Sequence, residues 1–226
     1  ILSTLAHWYA NMSKSGITGK ETISYKRNPV TSGNYNPGEL SFETLNTALD
    51  TLNQVRYIAG ISHDITINDS YNELCQAASL VNYVNGELSH YPAQPSNMSD
   101  ALYQLGAEGA ASSNLSWRSN GGNFYSMIEG QMSDNSGSNL ESLGHRRWLI
   151  NPEMKQTGFG VVGGSKGTYG AIYSIDNGFA GTQIKVAWPA QSMPTTYFTT
   201  SDPWSISVNE TVDMSTVKVS LTREAD

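Results

Sequence analysis

Histidine is the residue type most suited to chemistry in this chain, because the 226 residues contain only four. His90 follows the end of a predicted helix, in GELSHYP, and His145 precedes a predicted sheet, in SLGHRRWLINP. An imidazole titrates near neutral pH, so it can transfer a proton or bind a metal. His7 and His63 stand beside polar linker sequence, which favours a solvated or structural role. Taken alone, each of the other two histidines is also more often structural than functional.

Generic catalytic motifs do not identify a reaction. Residues 163–167, GGSKG, formally match the nucleophile elbow, but that elbow needs a strand before it and a helix after it. A strand is predicted to follow here, so the glycines favour a hairpin turn. The sequence contains no His-Glu-x-x-His motif, Walker loop or dinucleotide fingerprint.

The composition excludes several classes of partner. Charged residues make up 15% of the chain and the formal charge is −7, so the surface is expected to be covered by neutral polar groups, as in many exported proteins. Binding to nucleic acid needs concentrated basic charge, and no Lys/Arg cluster is present. No run approaches the roughly 20 apolar residues that span a bilayer. The single cysteine, Cys75, cannot form an internal disulfide and is predicted to be a buried thiol on a helix.

Two long helices are predicted in the first half of the chain. From Ser41 to Gly60, apolar residues recur at three- and four-residue spacing, with Ser41 placed to cap the helix and Gly60 to end it. A second helix begins after Asp69 and ends at Asn85-Gly86. The residues predicted to contribute to the core are Phe42, Leu45, Leu49, Leu52, Val55, Leu74, Ala78 and Val81.

Shorter helices are predicted over 99–107 and 123–132, separated by a polar loop, SSNLSWRSNGG. Beyond Pro152 the pattern becomes typical of strands bounded by glycine-rich turns. Helices first and strands afterwards favour an α+β fold, with helices packed on an antiparallel sheet. The predicted strands cover 158–162, 168–175, 183–188, 204–208 and 217–222.

The chain is predicted to have three parts. Residues 1–40 form a lead-in segment, 41–189 the main domain, and 190–226 a linker and the start of a small β extension. Ile1 begins without a basic region or cleavage site, and the last strand pattern stops at the C-terminus. We therefore expect this chain to be part of a longer one.

Three segments resemble signatures of the CAP superfamily, which includes cysteine-rich secretory proteins, venom antigens and plant pathogenesis-related proteins. They are TLNQVRYIAGI at 51–61, NGELSHYP around His90, and LGHRRWLINPEMKQTGFGVV around His145. The segment HRRWLINP resembles the form of this signature in a bacterial, secreted branch of the superfamily. The resemblance implies a three-layer α-β-α sandwich over 41–189.

The resemblance also implies a cleft. Family members with two His and two Glu use them to line a cleft that can hold a divalent metal such as zinc. His90 and His145 correspond to the two histidines, and Glu129 to one glutamate. The family's Gly-Glu-Asn signature is replaced by SSNL, which puts Ser113 in place of the second glutamate and Asn114 beside it. With one carboxylate missing, at most weak zinc binding by His90, His145 and Glu129 is expected.

Within the signatures, three arginines are predicted to be structural. Arg56 is expected to form an ion pair or to cap the loop that follows its helix. Arg146 and Arg147 are adjacent, so they cannot face the same way. One of them is predicted to be buried against a carboxylate or a helix C-terminus, and the other to be solvated.

The leading functional hypothesis is an extracellular or cell-surface binding module for a small molecule, lipid, peptide or cell-wall component. The first alternative is a hydrolase of peptides or cell-wall polymers, with Glu129 as general base. The second is a structural spacer in a larger surface protein. A family likeness implies a fold more firmly than a chemistry.

Overall fold

A computed structural model describes residues 19, 21–176, 185–194, 197–208, 212–220 and 222. His7, about half of the predicted lead-in segment, and the first two residues of the strand predicted at 183–188 lie outside them. The described helices are α1 (Phe42–Ile58), α2 (Asp69–Asn85), α3 (Asp100–Ala111), α4 (Phe124–Ser133), α5 (Asn139–Ser142) and α6 (Gly144–Leu149). The described strands are β1 (Tyr25–Arg27), β2 (Glu39–Leu40), β3 (Thr66–Ile67), β4 (Ser113–Arg118), β5 (Gln156–Thr157), β6 (Phe159–Gly164), β7 (Gly167–Tyr173), β8 (Val186–Trp188) and β9 (Ser205–Ser207).

The two long helices confirm the prediction, and their ends follow from local chemistry. The side chain of Ser41 accepts a hydrogen bond from the backbone N–H of Thr44 and so caps α1. Asn68 caps α2 in the same way through Ser70. At the other end of α2, Gly86 has a φ of +71°, a left-handed conformation that glycine adopts without steric cost.

A three-stranded antiparallel sheet in the order β4-β7-β6 lies between two helical layers. Side chains alternate between the faces of a strand, and the core clusters follow this alternation. Ala171 of β7 packs with Cys75 and Ala78 of α2 on one face. Its neighbour Ile172 joins the cluster that contains Met127 of α4 and residues of α1 on the other face. The predicted α+β fold and its three-layer α-β-α arrangement are therefore confirmed.

The polar segment predicted as a loop between α3 and α4 is instead strand β4. Its side chains Ser113, Asn114 and Ser116 are buried, and each hydrogen-bonds within the fold. Buried polar groups are stable when they have such partners. The partners lie far away in sequence, so neither hydrophobicity nor periodicity marked this strand.

Most of the predicted core residues are buried, including Leu52, Val55, Leu74, Ala78 and Val81. Leu45 and Leu49 are half-buried and pack against the edge of the main cluster. Phe42 was predicted wrongly, since its side chain is 80% exposed. It is the first residue of α1 and precedes the turn at which the helix reaches the core.

The C-terminal part of the described chain packs on the main domain. Strands β8 and β9 pair antiparallel, and Val186, Trp188 and Tyr197 belong to the largest core cluster. The core thus crosses the boundary predicted at residue 189. The strand predicted at 217–222 is wrong for its described residues, 217–220 and 222, which form no regular element. Among the described helices, none is long and apolar enough to cross a membrane.

Candidate functional site

A surface cleft of about 180 Å³ brings together four of the residues singled out from the sequence: His90, Ser113, Asn114 and His145. His90 follows α2, the serine and asparagine begin β4, and His145 lies in α6. The loop between α3 and β4, the end of β7 and the side chain of Trp148 complete the walls. The cleft therefore lies where several elements end, across one edge of the central sheet.

His145 is held by a carboxylate that the sequence analysis did not identify. Helix α4 ends at Asp134, whose backbone adopts a left-handed conformation with φ of +46°. Oδ1 of Asp134 lies 2.9 Å from Nδ1 of His145, and Oδ2 accepts the backbone N–H of His145 at 3.0 Å. Because a carboxylate only accepts hydrogen bonds, Nδ1 carries the proton. Nε2 is then the ring nitrogen left for a ligand in the cleft.

His90 is fixed in an equivalent way by the backbone. Its Nδ1 lies 2.7 Å from the carbonyl oxygen of Ala110, near the end of α3. A carbonyl oxygen cannot donate, so Nδ1–H is again the donor and Nε2 is the free acceptor in the neutral ring. Both histidines thus use Nδ1 within the protein and keep Nε2 for other partners.

Asn114 braces the cleft rather than pointing an unpaired amide into it. Its Nδ2 donates to the backbone carbonyl of His145 at 2.9 Å and to Oε1 of Gln131 at 3.2 Å. Its Oδ1 accepts the hydroxyl of Ser174 at 3.4 Å. These contacts tie the start of β4 to α6, and so to the backbone that carries the second histidine.

Ser113 is almost fully buried in the cleft wall. Its hydroxyl lies 3.4 Å from the sulfur of Cys75, behind the sheet. Burial raises the pKa of the Cys75 thiol to about 12, so this sulfur is a neutral core group, as predicted. The Cys75 thiol therefore lacks the lowered pKa of an activated nucleophile.

Glu129 does not reach the cleft. The buried residues of α4 include Met127 and Ile128, and helical spacing turns Glu129 to the opposite, exposed face. There its negative charge contributes to raising the pKa of Tyr125, although burial of the tyrosine is the larger cause. The prediction that Glu129 supplies a carboxylate to the cleft is therefore wrong.

The predicted metal set of His90, His145 and Glu129 does not meet in space. Within the described ranges, no group of three His, Cys, Asp or Glu side chains is placed to hold a metal ion. A catalytic zinc normally has three protein ligands. The nearest carboxylate, Asp134, already accepts hydrogen bonds from the His145 ring and backbone. The residues present therefore do not fit a zinc centre, and no chemistry is derived through one.

Two buried arginines hold the segments behind the cleft. Arg56 donates to the carbonyls of Ser62, Leu149 and Asn151, so it caps the following loop and the end of α6 as expected. Burial lowers its pKa to about 10. Arg146 is buried and donates to the C-terminus of α4, at the carbonyl of Ser133.

The C-terminal ribbon is attached to the same scaffold. Arg146 also donates to the carbonyl of Pro203 and to the hydroxyl of Ser205, and Asp202 accepts from Ser133 and Asn135. Arg147 is exposed, so the predicted division of roles between the adjacent arginines is confirmed.

Sequence reasoning missed Asp134, Asn139 and Trp148. Asn139 lies with its amide nitrogen 3.3 Å from Nδ1 of His145, and Trp148 lines the cleft one helical turn after that histidine. A polar segment, SDNSGSN at 133–139, shortly before the third signature was the available signal for the first two. The position of Trp148, three residues after His145, was the signal for the third.

The fold and the cleft together define an α+β domain of the CAP type. The family model described as the cysteine-rich secretory protein family (CAP) matches residues 49–177, which is more than half of the chain. The chain belongs to this family. No curated protein and no solved structure matches it.

Proposed function

We propose that this chain is a secreted or cell-surface CAP module that binds a polar ligand, a peptide or cell-wall component, in the cleft between His90 and His145. The observation that carries the proposal is the shared orientation of the two rings. Each is held through Nδ1, by Ala110 or by Asp134, and each lines the same cleft. Neither Nε2 makes a hydrogen bond to another described residue. The two Nε2 atoms accept hydrogen bonds, and amide and hydroxyl groups lie beside them in the cleft. This lining suits a ligand with hydrogen-bond donors.

The dimensions and lining of the cleft argue against a lipid or sterol. Its volume of about 180 Å³ is below the roughly 300–1,000 Å³ typical of pockets for drug-sized ligands. Most of the lining residues are Ser, Asn, His and Gly, which offer little apolar surface for a hydrocarbon chain. The presence of a formed cleft also counts against a role as spacer alone.

An NMR titration tests this proposal. Protein labelled with ¹⁵N-histidine is titrated with soluble cell-wall fragments and with short peptides. We expect Nε2 of His90 and His145 to shift together, while the exposed His63 beside Tyr57 serves as an internal control. His90→Ala and His145→Ala should each weaken binding. Shifts confined to His63, or none at all, would contradict the proposal.

Hydrolysis is a second candidate because Asp134 and His145 form the pair of orienting group and base seen in many acid–base sites. In this version His145 Nε2, rather than Glu129, accepts a proton from water attacking a peptide or glycan bond. Incubation with dye-labelled peptides and cell-wall polymer distinguishes the two candidates. Turnover that is lost in His145→Ala and retained in His63→Ala would favour the hydrolase.

A further inference from the structure

A second cavity lies beside the His-lined cleft and shares two of its lining residues. Gly144 and Trp148 line both spaces, so the two adjoin along one side of α6. The second cavity has a volume of about 350 Å³, which by itself lies within the range of ligand pockets. The Trp148 side chain is 40% exposed at the junction. Trp148 thus presents its indole to a ligand in either space.

The far wall of the second cavity comes from outside the region that matches the family. Val186 of β8, together with Ser207 and Val208 at the end of β9, lines this wall. The family model covers residues 49–177, so the ribbon formed by β8 and β9 lies beyond it. Arg146 anchors the ribbon to the cleft scaffold through Pro203 and Ser205. One wall of this cavity is therefore supplied by a segment that the family region does not contain.

The remaining wall carries planar polar groups around the indole. Arg147, Asn151 and Glu153 all line the cavity. No carboxylate among the described residues lies within ion-pair distance of Arg147. Guanidinium, amide and carboxylate groups each offer two adjacent hydrogen-bonding atoms in one plane. Such groups match neighbouring hydroxyls on a ring.

This combination of groups favours a sugar polymer over other polar ligands. A pyranose ring has an apolar C–H face and a rim of hydroxyls, and an exposed indole flanked by planar polar groups complements both. An extended peptide is usually recognised through strand pairing and alternating side-chain pockets. The lining here is neither a strand edge alone nor a series of apolar pockets. A chain of repeating sugar units can place one unit in each of the two cavities and contact the indole that they share.

We infer that the two cavities form one groove for an oligosaccharide, with Trp148 stacking on a sugar ring at the junction and the β8–β9 ribbon forming the outer subsite. This inference rests on the proposed function, because it gives the ligand of the His-lined cleft a chemical class. It goes further by assigning a second subsite and a residue that joins the two.

The test uses an array of immobilised oligosaccharides covering neutral, amino and acidic sugars, followed by calorimetry with the best series at increasing chain length. We expect affinity to rise with length until both subsites are filled. Trp148→Ala should lower affinity at least tenfold, and Trp148→Phe should lower it less because it keeps an aromatic face. Trp204→Ala is the matched control, since Trp204 is also exposed and lines neither cavity. Ser207→Trp should fill the outer subsite and weaken only the longer oligomers.

The outcomes separate this inference from the proposed function. If no oligosaccharide binds, if a parallel peptide array binds instead, or if Trp148→Ala has no effect, the inference is overturned. If His90→Ala and His145→Ala weaken binding while Trp148→Ala and Ser207→Trp do not, the proposed function stands and the outer subsite falls. If only the Trp148 and Ser207 variants weaken binding, the outer subsite stands and the role of the histidines falls.

Discussion

The carboxylate of Asp134 accepts two hydrogen bonds from His145, one from the ring at Oδ1 and one from the backbone N–H at Oδ2. The two residues lie eleven positions apart, Asp134 at the end of α4 and His145 in α6, with α5 between them. The contact determines both the orientation of the imidazole and the nitrogen that carries its proton.

Asp134→Asn should allow the imidazole of His145 to populate both neutral tautomers. Asparagine tolerates the left-handed backbone at this position, so the turn should persist. The amide has one acceptor oxygen in place of two, and one of the three bonds to His145 and Arg146 must weaken. We expect a loss of about 1–3 kcal/mol in unfolding free energy and a mixed tautomer in ¹⁵N NMR spectra. Asp134→Ala has no side-chain acceptor, so a pure Nδ1–H tautomer in that variant would show that the carboxylate does not set it.

Arg56→Met should destabilise the fold by about 3 kcal/mol or more, because three backbone carbonyls lose a charged donor in a buried site. Urea unfolding measures the change. Arg147→Met is the matched control, and since Arg147 is exposed its effect should stay within about 0.5 kcal/mol. Equal losses in the two variants would contradict a structural role for Arg56.

Cys75 should make stability depend on alkaline pH. Burial raises the pKa of its thiol from 9.0 to about 12 in the folded chain. The unfolded chain therefore loses this proton first as pH rises, and the thiol's contribution to stability is lost between about pH 9 and 12. Cys75→Ala lacks this titration. Its stability deficit relative to the natural chain, measured by urea unfolding at several pH values between about 8 and 11, should shrink as pH rises. A constant deficit would contradict the assignment.

Gly160→Ala should be poorly tolerated. Gly160 lies in β6 directly under α2, and an added Cβ would meet the backbone carbonyl of Cys75. Since neither backbone can yield easily, we expect a loss of about 2 kcal/mol or more. Gly144→Ala provides the control, because a Cβ there would only approach the Ser142 hydroxyl at 3.6 Å. Similar melting temperatures for both variants would argue against the close packing of helix on sheet.

Two substitutions in α1 test how the helix faces the core. Leu52 is fully buried, so Leu52→Ala should cost about 2–5 kcal/mol. Phe42→Ala, at the exposed start of the same helix, should change stability by no more than about 0.5 kcal/mol. Chemical denaturation of the two variants measures the difference. A large loss in Phe42→Ala would mean that this side chain packs against another surface.

The local features of the fold could be read from the sequence because each depends on neighbouring residues. The three- and four-residue spacing from Leu45 to Ile58 determined the face of α1, and Ser41 and Gly86 marked helix ends through backbone chemistry that acts within one turn. The CAP signatures around His90 and His145 pointed to segments that the structure brings to one cleft.

Tertiary structure decided what depends on partners distant in the chain. Strand β4 is polar in sequence, and only the partners of Ser113, Asn114 and Ser116 in space make its burial favourable. Glu129 turned away from the cleft because a residue's position on α4 depends on which face meets the core. Asp134 became the partner of His145 because the left-handed end of α4 aims its carboxylate at α6. These three outcomes follow from packing and hydrogen bonding across the fold, which residue spacing along the chain does not encode.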